Sequence, residues 1–363
     1  MNFSRSSSNH FPTRRGLRDV TNSLNNDGAS VRDKKKEKFN HSLRSSASAA
    51  YREKPKNEKR INERNINAKL PSSIESNLLS NPVSYQYNGY PDNIDERDQD
   101  DPLCATEYVE DMYEYFRSNE GSTSVQPTYM TSQRHINEKM RAILVDWLVE
   151  VHLKFKLVPE TLYLCINLID RFLKAKEVSR KKLQLVGVTC FLIASKYEDI
   201  YPPELRDLVY ICDSAYTKDE ILDMEETILK GLKYQITIPS AHAFLVRYLK
   251  AAHADKKMVQ ISCYFLDGTL QSYDLLRYLP SELAAASILL ARRIVGRNVW
   301  SPTLLKYAQY REGDIVPIAR AILAEKNAIS AELKAVIQKY SLDRYGAVAS
   351  INTTSLEDFF NIE

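Results

Sequence analysis

Glycine is scarce in this chain, 10 of 363 residues, and nowhere clusters into the kind of loop that cradles a phosphate. The five cysteines, Cys104, Cys165, Cys190, Cys212 and Cys263, are widely spaced and include no Cys-x-x-Cys pair. That excludes a zinc ribbon and predicts reduced, buried thiols. The six histidines, His10, His41, His135, His152, His242 and His253, stand in a polar N-terminal stretch or singly on helical segments. They show neither metal-ligand spacing nor an adjacent nucleophile, so no metal, no cofactor and no catalytic constellation is expected. No apolar run reaches the roughly 18 residues of a membrane span, and Met1-Asn-Phe-Ser-Arg-Ser6 lacks an apolar signal core; the chain reads as soluble and intracellular. Charged residues make up 27% of the chain, yet the net charge is only +3, which argues against nucleic acid or membrane as the main partner.

What is present falls into two regimes. From Met1 to about Pro102 the chain is rich in Ser, Asn, Lys, Arg and Glu, and its apolar residues repeat at neither 3.6 nor 2. Such a segment cannot bury enough surface to offset an ordering cost of about 1–2 kcal/mol per residue, so 1–102 reads as a disordered tail. Beyond it the pattern is helical. Thr217-Lys-Asp-Glu220 has capping-box spacing, Ser179 and Ser240 read as N-caps, and Pro202-Pro203 separates two helices. Leu183 to Ser195 is apolar almost all round, as in a helix enclosed by others, and a second series covers 241–252, 258–278, 282–295, 303–310 and 315–340, the last as two helices. Periodicity alone predicts an all-α protein of two bundles.

The stretch Met140 to Val151 has two apolar faces. At about 100° per residue, Met140, Ile143, Leu144 and Trp147 form one stripe, while Ala142, Val145 and Val149 lie on the opposite side. One core needs one stripe. The second face either lies under another layer of the fold or stays open to hold something else.

The motif run is more specific than the periodicity. Met140-Arg-Ala-Ile-Leu-Val-Asp-Trp-Leu-Val-Glu-Val151 is followed by Glu160-Thr-Leu-Tyr-Leu-Cys-Ile-Asn-Leu-Ile-Asp-Arg-Phe-Leu173, Lys182-Leu-Gln-Leu-Val-Gly187, Ala194-Ser-Lys-Tyr-Glu-Asp-Ile-Tyr-Pro-Pro203, Tyr216-Thr-Lys218 and Met224-Glu225. With a looser match at Lys339-Tyr-Ser-Leu-Asp-Arg-Tyr-Gly346, the run resembles the cyclin box of A- and B-type cyclins from about residue 104 onward. The resemblance implies two tandem five-helix cyclin-box domains: 103–237 with its leading helix, and 238–346, followed by an extension over 347–363. It further implies a regulatory subunit that activates a cyclin-dependent Ser/Thr kinase and performs no chemistry itself.

The site residues follow from the same resemblance. Lys196 and Glu225 match positions that hydrogen-bond the kinase's regulatory helix and hold it inward, although a lysine near a helix C-terminus is also favoured by the helix dipole. Tyr197, Leu229 and Tyr234 match apolar or aromatic kinase contacts, with tyrosine at 197 and 234 where phenylalanine is common. Glu107 to Arg117 resembles the family's N-terminal helix and adds Tyr108, Met112 and Tyr115. Met140, Ile143, Leu144, Trp147 and Glu150, with Leu183 and Gln184, match an exposed patch that docks Arg-x-Leu peptides of substrates and inhibitors, Glu150 pairing with the arginine. Arg141 and Asp170 match an internal ion pair. In the tail, Arg14-Arg-Gly-Leu17-Arg-Asp-Val-Thr-Asn22 fits the destruction box read by the anaphase-promoting ubiquitin ligase, with Lys34, Lys35, Lys36, Lys38, Lys54, Lys56 and Lys59 as acceptors. The Lys-Glu-Asn companion motif is absent. Lys34-Lys-Lys-Glu-Lys38 reads either as a nuclear-import patch or as solvated charge, so nucleus and cytoplasm are the expected locations. Ser301-Pro302, the only Ser/Thr-Pro pair, reads as an N-cap with a first-turn proline.

A B-type mitotic cyclin acting at the G2/M transition is the leading reading, and an A-type, S-phase cyclin is the nearest alternative. A cyclin-fold transcription factor would be expected to carry a zinc ribbon. A kinase-independent scaffold would be expected to lose Lys196 or Glu225.

Overall fold

The computed structural model describes residues 89–297, 299–353 and Leu356. The destruction box, the basic patch and the tail lysines lie outside these. The leading helix α1 (Val109–Thr123) precedes a first box of α2 (Glu138–Phe155), α3 (Pro159–Ala175), α4 (Leu183–Glu198), α5 (Leu205–Ile211) and α6 (Lys218–Gly231). The second box holds α7 (Ala241–Ala251), α8 (Lys256–Thr269), α9 (Pro280–Ile294), α10 (Pro302–Ala308) and α11 (Glu312–Ala328), with a short α12 (Ala335–Tyr340) after it. The described residues contain no strand, and none of their helices is long and apolar enough to cross a membrane. The two five-helix boxes are as expected.

Local chemistry accounts for most boundaries. Thr217 and Glu220 form the reciprocal capping box, and Ser240 and Ser301 accept from the amides three residues on at 3.1 and 3.0 Å. Ser179 departs from expectation: its hydroxyl makes no cap bond, and a 3-10 turn at Arg180–Lys182 leads into α4. The helix expected over 258–278 stops at Thr269, because the next residues serve the other box. Gln271 Nε2 donates to Asp146 Oδ1 at 2.7 Å, and Tyr273 is buried in the first core, stacked edge-on against Tyr129.

α2 is enclosed on both faces. Met140, Ile143, Leu144, Trp147, Leu148 and Val151 lie in the first core, while Val145 and Val149 join Leu162, Tyr163 and Ile166 of α3 in the core of the second box. Leu144 is wedged so closely against Gly187 of α4 that a Cβ there would stand 2.6 Å from its Cδ1. Polar latches ring this seam. Asp146 accepts from Gln271 and from the Ala335 amide, and Asp267 of α8 accepts from Tyr163, Lys339 and Tyr340 at 2.6, 2.7 and 2.9 Å. Burial opposes ionisation of Asp267, but Lys339 and these hydrogen bonds together hold its carboxyl below the usual range.

Three boundaries shift. Residues 89–102, expected in the disordered tail, include a strap on the second box: Ile94 is in its core, and Asp95 pairs with both Arg247 nitrogens at 2.6 Å and with Lys250 at 2.7 Å. Helix α1 leads the first box in sequence but is anchored largely on the second. Tyr113 donates to the Ala243 carbonyl, Arg117 to Tyr248 and the Ala308 carbonyl, and Glu120 accepts from Ser281. The extension after 346 begins inside the second box, since Val348 and Leu356 are buried in its core.

Arg141 and Asp170 form a bidentate pair at 2.6 and 2.7 Å, with both side chains at most 3% exposed. Tyr129 donates to the same carboxylate at 2.7 Å, and Arg141 also donates to the Leu270 carbonyl across the seam at 3.1 Å. Removing one partner leaves a buried charge unpaired, so Arg141→Ala should cost about 3–5 kcal/mol in urea unfolding, more than an Arg141→Leu/Asp170→Leu double replacement. His152 of α2 gives a second test. Burial, with Lys339 nearby, pushes the ring from its ordinary 6.5 to about 4, and the neutral ring donates from Nε2 to the Val158 carbonyl at 2.8 Å. Between these values the unfolded chain binds a proton that the folded chain excludes, so stability from this group is complete above about pH 6.5 and falls as pH drops toward 4. His152→Gln should remove about 2 kcal/mol of the loss seen between pH 7 and pH 5; an unchanged slope would place the acid sensitivity elsewhere.

Candidate binding surface

Helices α4 and α6 pack side by side. The end of α4 is fixed from outside: Asp199 accepts from the Val158 amide at 3.1 Å and from the Thr161 hydroxyl at 2.5 Å, tying it to the start of α3. One turn earlier, Lys196 Nζ meets both oxygens of Glu225 on α6 at 2.7 and 2.9 Å. The two residues expected to reach for a partner are thus already paired with each other. With the lysine side chain 47% and the glutamate 14% exposed, the pair adds at most about 1 kcal/mol to stability.

Exposed tyrosines stand near the C-terminal ends of both helices. Tyr197 is half-exposed and shares a 2.5 Å hydrogen bond with the Thr237 hydroxyl, so its phenol is satisfied at the surface. Tyr234 stands at the C-terminal end of α6, where Lys233 and Tyr234 have φ of +53° and +57°. Two successive non-glycine residues in the left-handed region are costly, at about 1–2 kcal/mol each, and here they turn the chain so that the Tyr234 ring is 63% exposed. Leu229 is half-buried against the first core. Tyr108, Met112 and Tyr115 are exposed around α1, whose other face is held by Tyr113, Phe116 and Arg117 on the second box.

Sequence reasoning missed part of this surface. Ile200 and Tyr201 are 87% and 76% exposed directly after α4, and Leu222 is exposed one turn before Glu225 on α6. The spacing of Leu222, Glu225 and Leu229, at i, i+3 and i+7, is the signal that could have found the last of these. Exposed large apolar side chains close in sequence to an ion pair, as Tyr197 and Leu222 are, mark a candidate protein interface.

The exposure expected of the Arg-x-Leu patch is corrected. Met140, Ile143, Leu144, Trp147, Leu183 and Gln184 are all buried, none more than 7% exposed, because α2 and α4 use these side chains to build the first core. Only Glu150 is half-exposed. The stripe that looked available in sequence is packing, and both faces of α2 lie under layers of the same fold. The cysteines are free thiols; burial pushes Cys212 up to about 12 and raises Cys165, Cys190 and Cys263 well above their ordinary value, which leaves no ready nucleophile among them.

Comparison with known proteins agrees with the two-box fold. The family description "Cyclin, N-terminal domain" matches residues 111–237, and "Cyclin, C-terminal domain" matches 239–354. The chain belongs to the cyclin family. Among similar cyclins, Cyclin-B2-1 of Oryza sativa subsp. japonica is 45% identical over 258 residues, 70% of this chain and 61% of that protein. The G2/mitotic-specific cyclin-1 of Medicago sativa subsp. varia is 42% identical over 264 residues, 72% and 62% of the two chains. The matched part of this cyclin thus spans about three-fifths of the length of these relatives. The crystal structure of a viral cyclin from herpesvirus saimiri shares the fold, with a TM-score of 0.54 and 20% identity over 59% of this chain and 96% of that one.

Proposed function

We propose that this cyclin is the non-catalytic, activating subunit of a cyclin-dependent Ser/Thr kinase, working as a B-type cyclin at G2/M. The observation that carries the reading is the Lys196–Glu225 pair, preassembled at 2.7 Å, with exposed Tyr197 next to the lysine and exposed Leu222 one turn before the glutamate. An ammonium has three donors and Glu225 takes two, so one donor remains for a carbonyl of the kinase's regulatory helix. The carboxylate keeps lone pairs for backbone amides of that helix. Since the pair exists before binding, little side-chain entropy is left to lose on docking. Binding that favours the inward position of the kinase helix shifts the kinase toward its active state, and the cyclin supplies only this differential affinity. The similar B-type and G2/mitotic relatives support the mitotic assignment over the S-phase one.

Two further roles belong to the same proposal. An Arg-x-Leu peptide would pair its arginine with Glu150, the half-exposed member of the expected patch. In the tail, Arg14, Leu17 and Asn22 would direct ubiquitination by the anaphase-promoting ligase. The nucleus and cytoplasm are the proposed locations.

Lys196→Ala/Glu225→Ala should reduce histone phosphorylation by a co-purified cyclin-dependent kinase by roughly a hundred-fold or more, the loss of two charge-assisted hydrogen bonds at about 1.5–3 kcal/mol each, with unchanged helical circular dichroism. Wild-type activity in the double variant would refute the interface. Arg14→Ala/Leu17→Ala should leave the protein stable through mitotic exit; normal turnover would assign the degradation signal to another segment.

A further inference from the structure

The second box holds a cavity that the proposed kinase surface does not use. About 70 Å³ in volume, it lies between α8, α11 and α12, with apolar walls from Phe265, Ile322, Ile329, Val336 and Ile337. Ile337 is 45% exposed, and a Cβ built on Gly268 in the cavity wall meets nothing within 4 Å. The charges lining it are one of each sign: Glu325, which accepts from Ser272 at 2.7 Å, and Lys326.

Two polar side chains in the lining lack a full set of partners. Tyr264 of α8 is 7% exposed and its ring packs on Tyr340, yet its hydroxyl makes no hydrogen bond among the described residues. Burial pushes this phenol above its usual range, so it stays a donor. Gln271 is 3% exposed, and its Nε2 donates to Asp146 Oδ1 at 2.7 Å. An ionised carboxylate only accepts, so the amide nitrogen must face Asp146, and Oε1 then has no partner among the described residues. Buried polar groups are nearly always satisfied, and a donor and an acceptor left open at one cavity call for an occupant that carries both. The size of the cavity decides what kind. Sites for whole small molecules run to about 300–1,000 Å³, whereas 70 Å³ fits one aliphatic side chain. A small apolar socket with an exposed isoleucine and charged neighbours has the anatomy of a protein interface.

We propose that this cavity receives a leucine or isoleucine side chain of a protein partner together with the adjoining peptide group. The apolar walls take the side chain, Tyr264 donates to the peptide carbonyl, and Gln271 Oε1 accepts from a peptide N–H. The test is an NMR titration of the full chain, methyl-labelled at isoleucine, with N-acetyl-leucine N-methylamide. The methyls of Ile322, Ile329 and Ile337 should shift saturably, with Ile143 and Ile228 of the first box unmoved. N-acetyl-glycine N-methylamide, which lacks the side chain, should bind roughly ten-fold more weakly or worse. Tyr264→Phe removes only a hydroxyl that the fold does not use and should weaken the leucine compound roughly three- to ten-fold. Gly268→Leu should fill the cavity and abolish the shifts. Absence of a saturable shift would make water the partner of both polar groups and overturn the proposal. Equal binding of the glycine compound, full affinity in Tyr264→Phe or unchanged shifts in Gly268→Leu would overturn it as well.

Discussion

The fold depends on a helix that buries both of its faces. Val145 and Val149 of α2 belong to one core, while Leu144, Trp147 and Leu148 belong to the other, so neither box is complete without it. Burying a leucine- or valine-sized side chain contributes about 1.5–3 kcal/mol, and α2 makes this contribution in both directions. The polar latches then select one relative placement of the two boxes. Asp146 reaches Gln271 and the Ala335 amide, Arg141 reaches the Leu270 carbonyl, and Tyr163 reaches Asp267, each linking one box to the other. Every one of these groups is costly if left unpaired, so sliding of the boxes is opposed by desolvation as well as by packing.

A rigid base explains how exposed side chains can act with low entropic loss. α4 is buried from Leu183 to Ser195, and the Asp199 contacts with α3 fix its end, so Lys196 and Tyr197 project from an immobile helix terminus. The left-handed turn at Lys233–Tyr234 is held by the Tyr234 amide on the Leu229 carbonyl at 2.9 Å, which fixes the exposed ring at the end of α6. Backbone strain of this kind, next to a binding face, is tolerated where the surroundings over-determine it.

Much of this was legible in the sequence, for identifiable reasons. Period-3.6 patterning and caps such as Thr217–Glu220 gave the helices, and the motif run gave the box pairing of Arg141 with Asp170. Other features were not legible because they depend on long-range neighbours. That Lys196 and Glu225 contact each other requires α4 and α6 to be placed side by side. That Met140, Ile143 and Trp147 are buried requires knowing what lies above them, since an apolar stripe has the same pattern whether it is covered or open. The strap around Asp95 was hidden in a polar stretch whose composition resembles that of the tail before it, and partners such as Arg247 and Lys250, more than 150 residues away, reveal its role.

The central claim is that a kinase is gripped by the end of α4, the Leu222–Tyr234 stretch and α1. Hydrogen exchange of the full chain, with and without a cyclin-dependent kinase, tests it most directly. The account predicts slowed exchange at 108–115, 196–201 and 222–234, with α8, α11 and α12 unaffected. Slowed exchange confined to the second box, or none at 196–201 in a complex that forms, would contradict it.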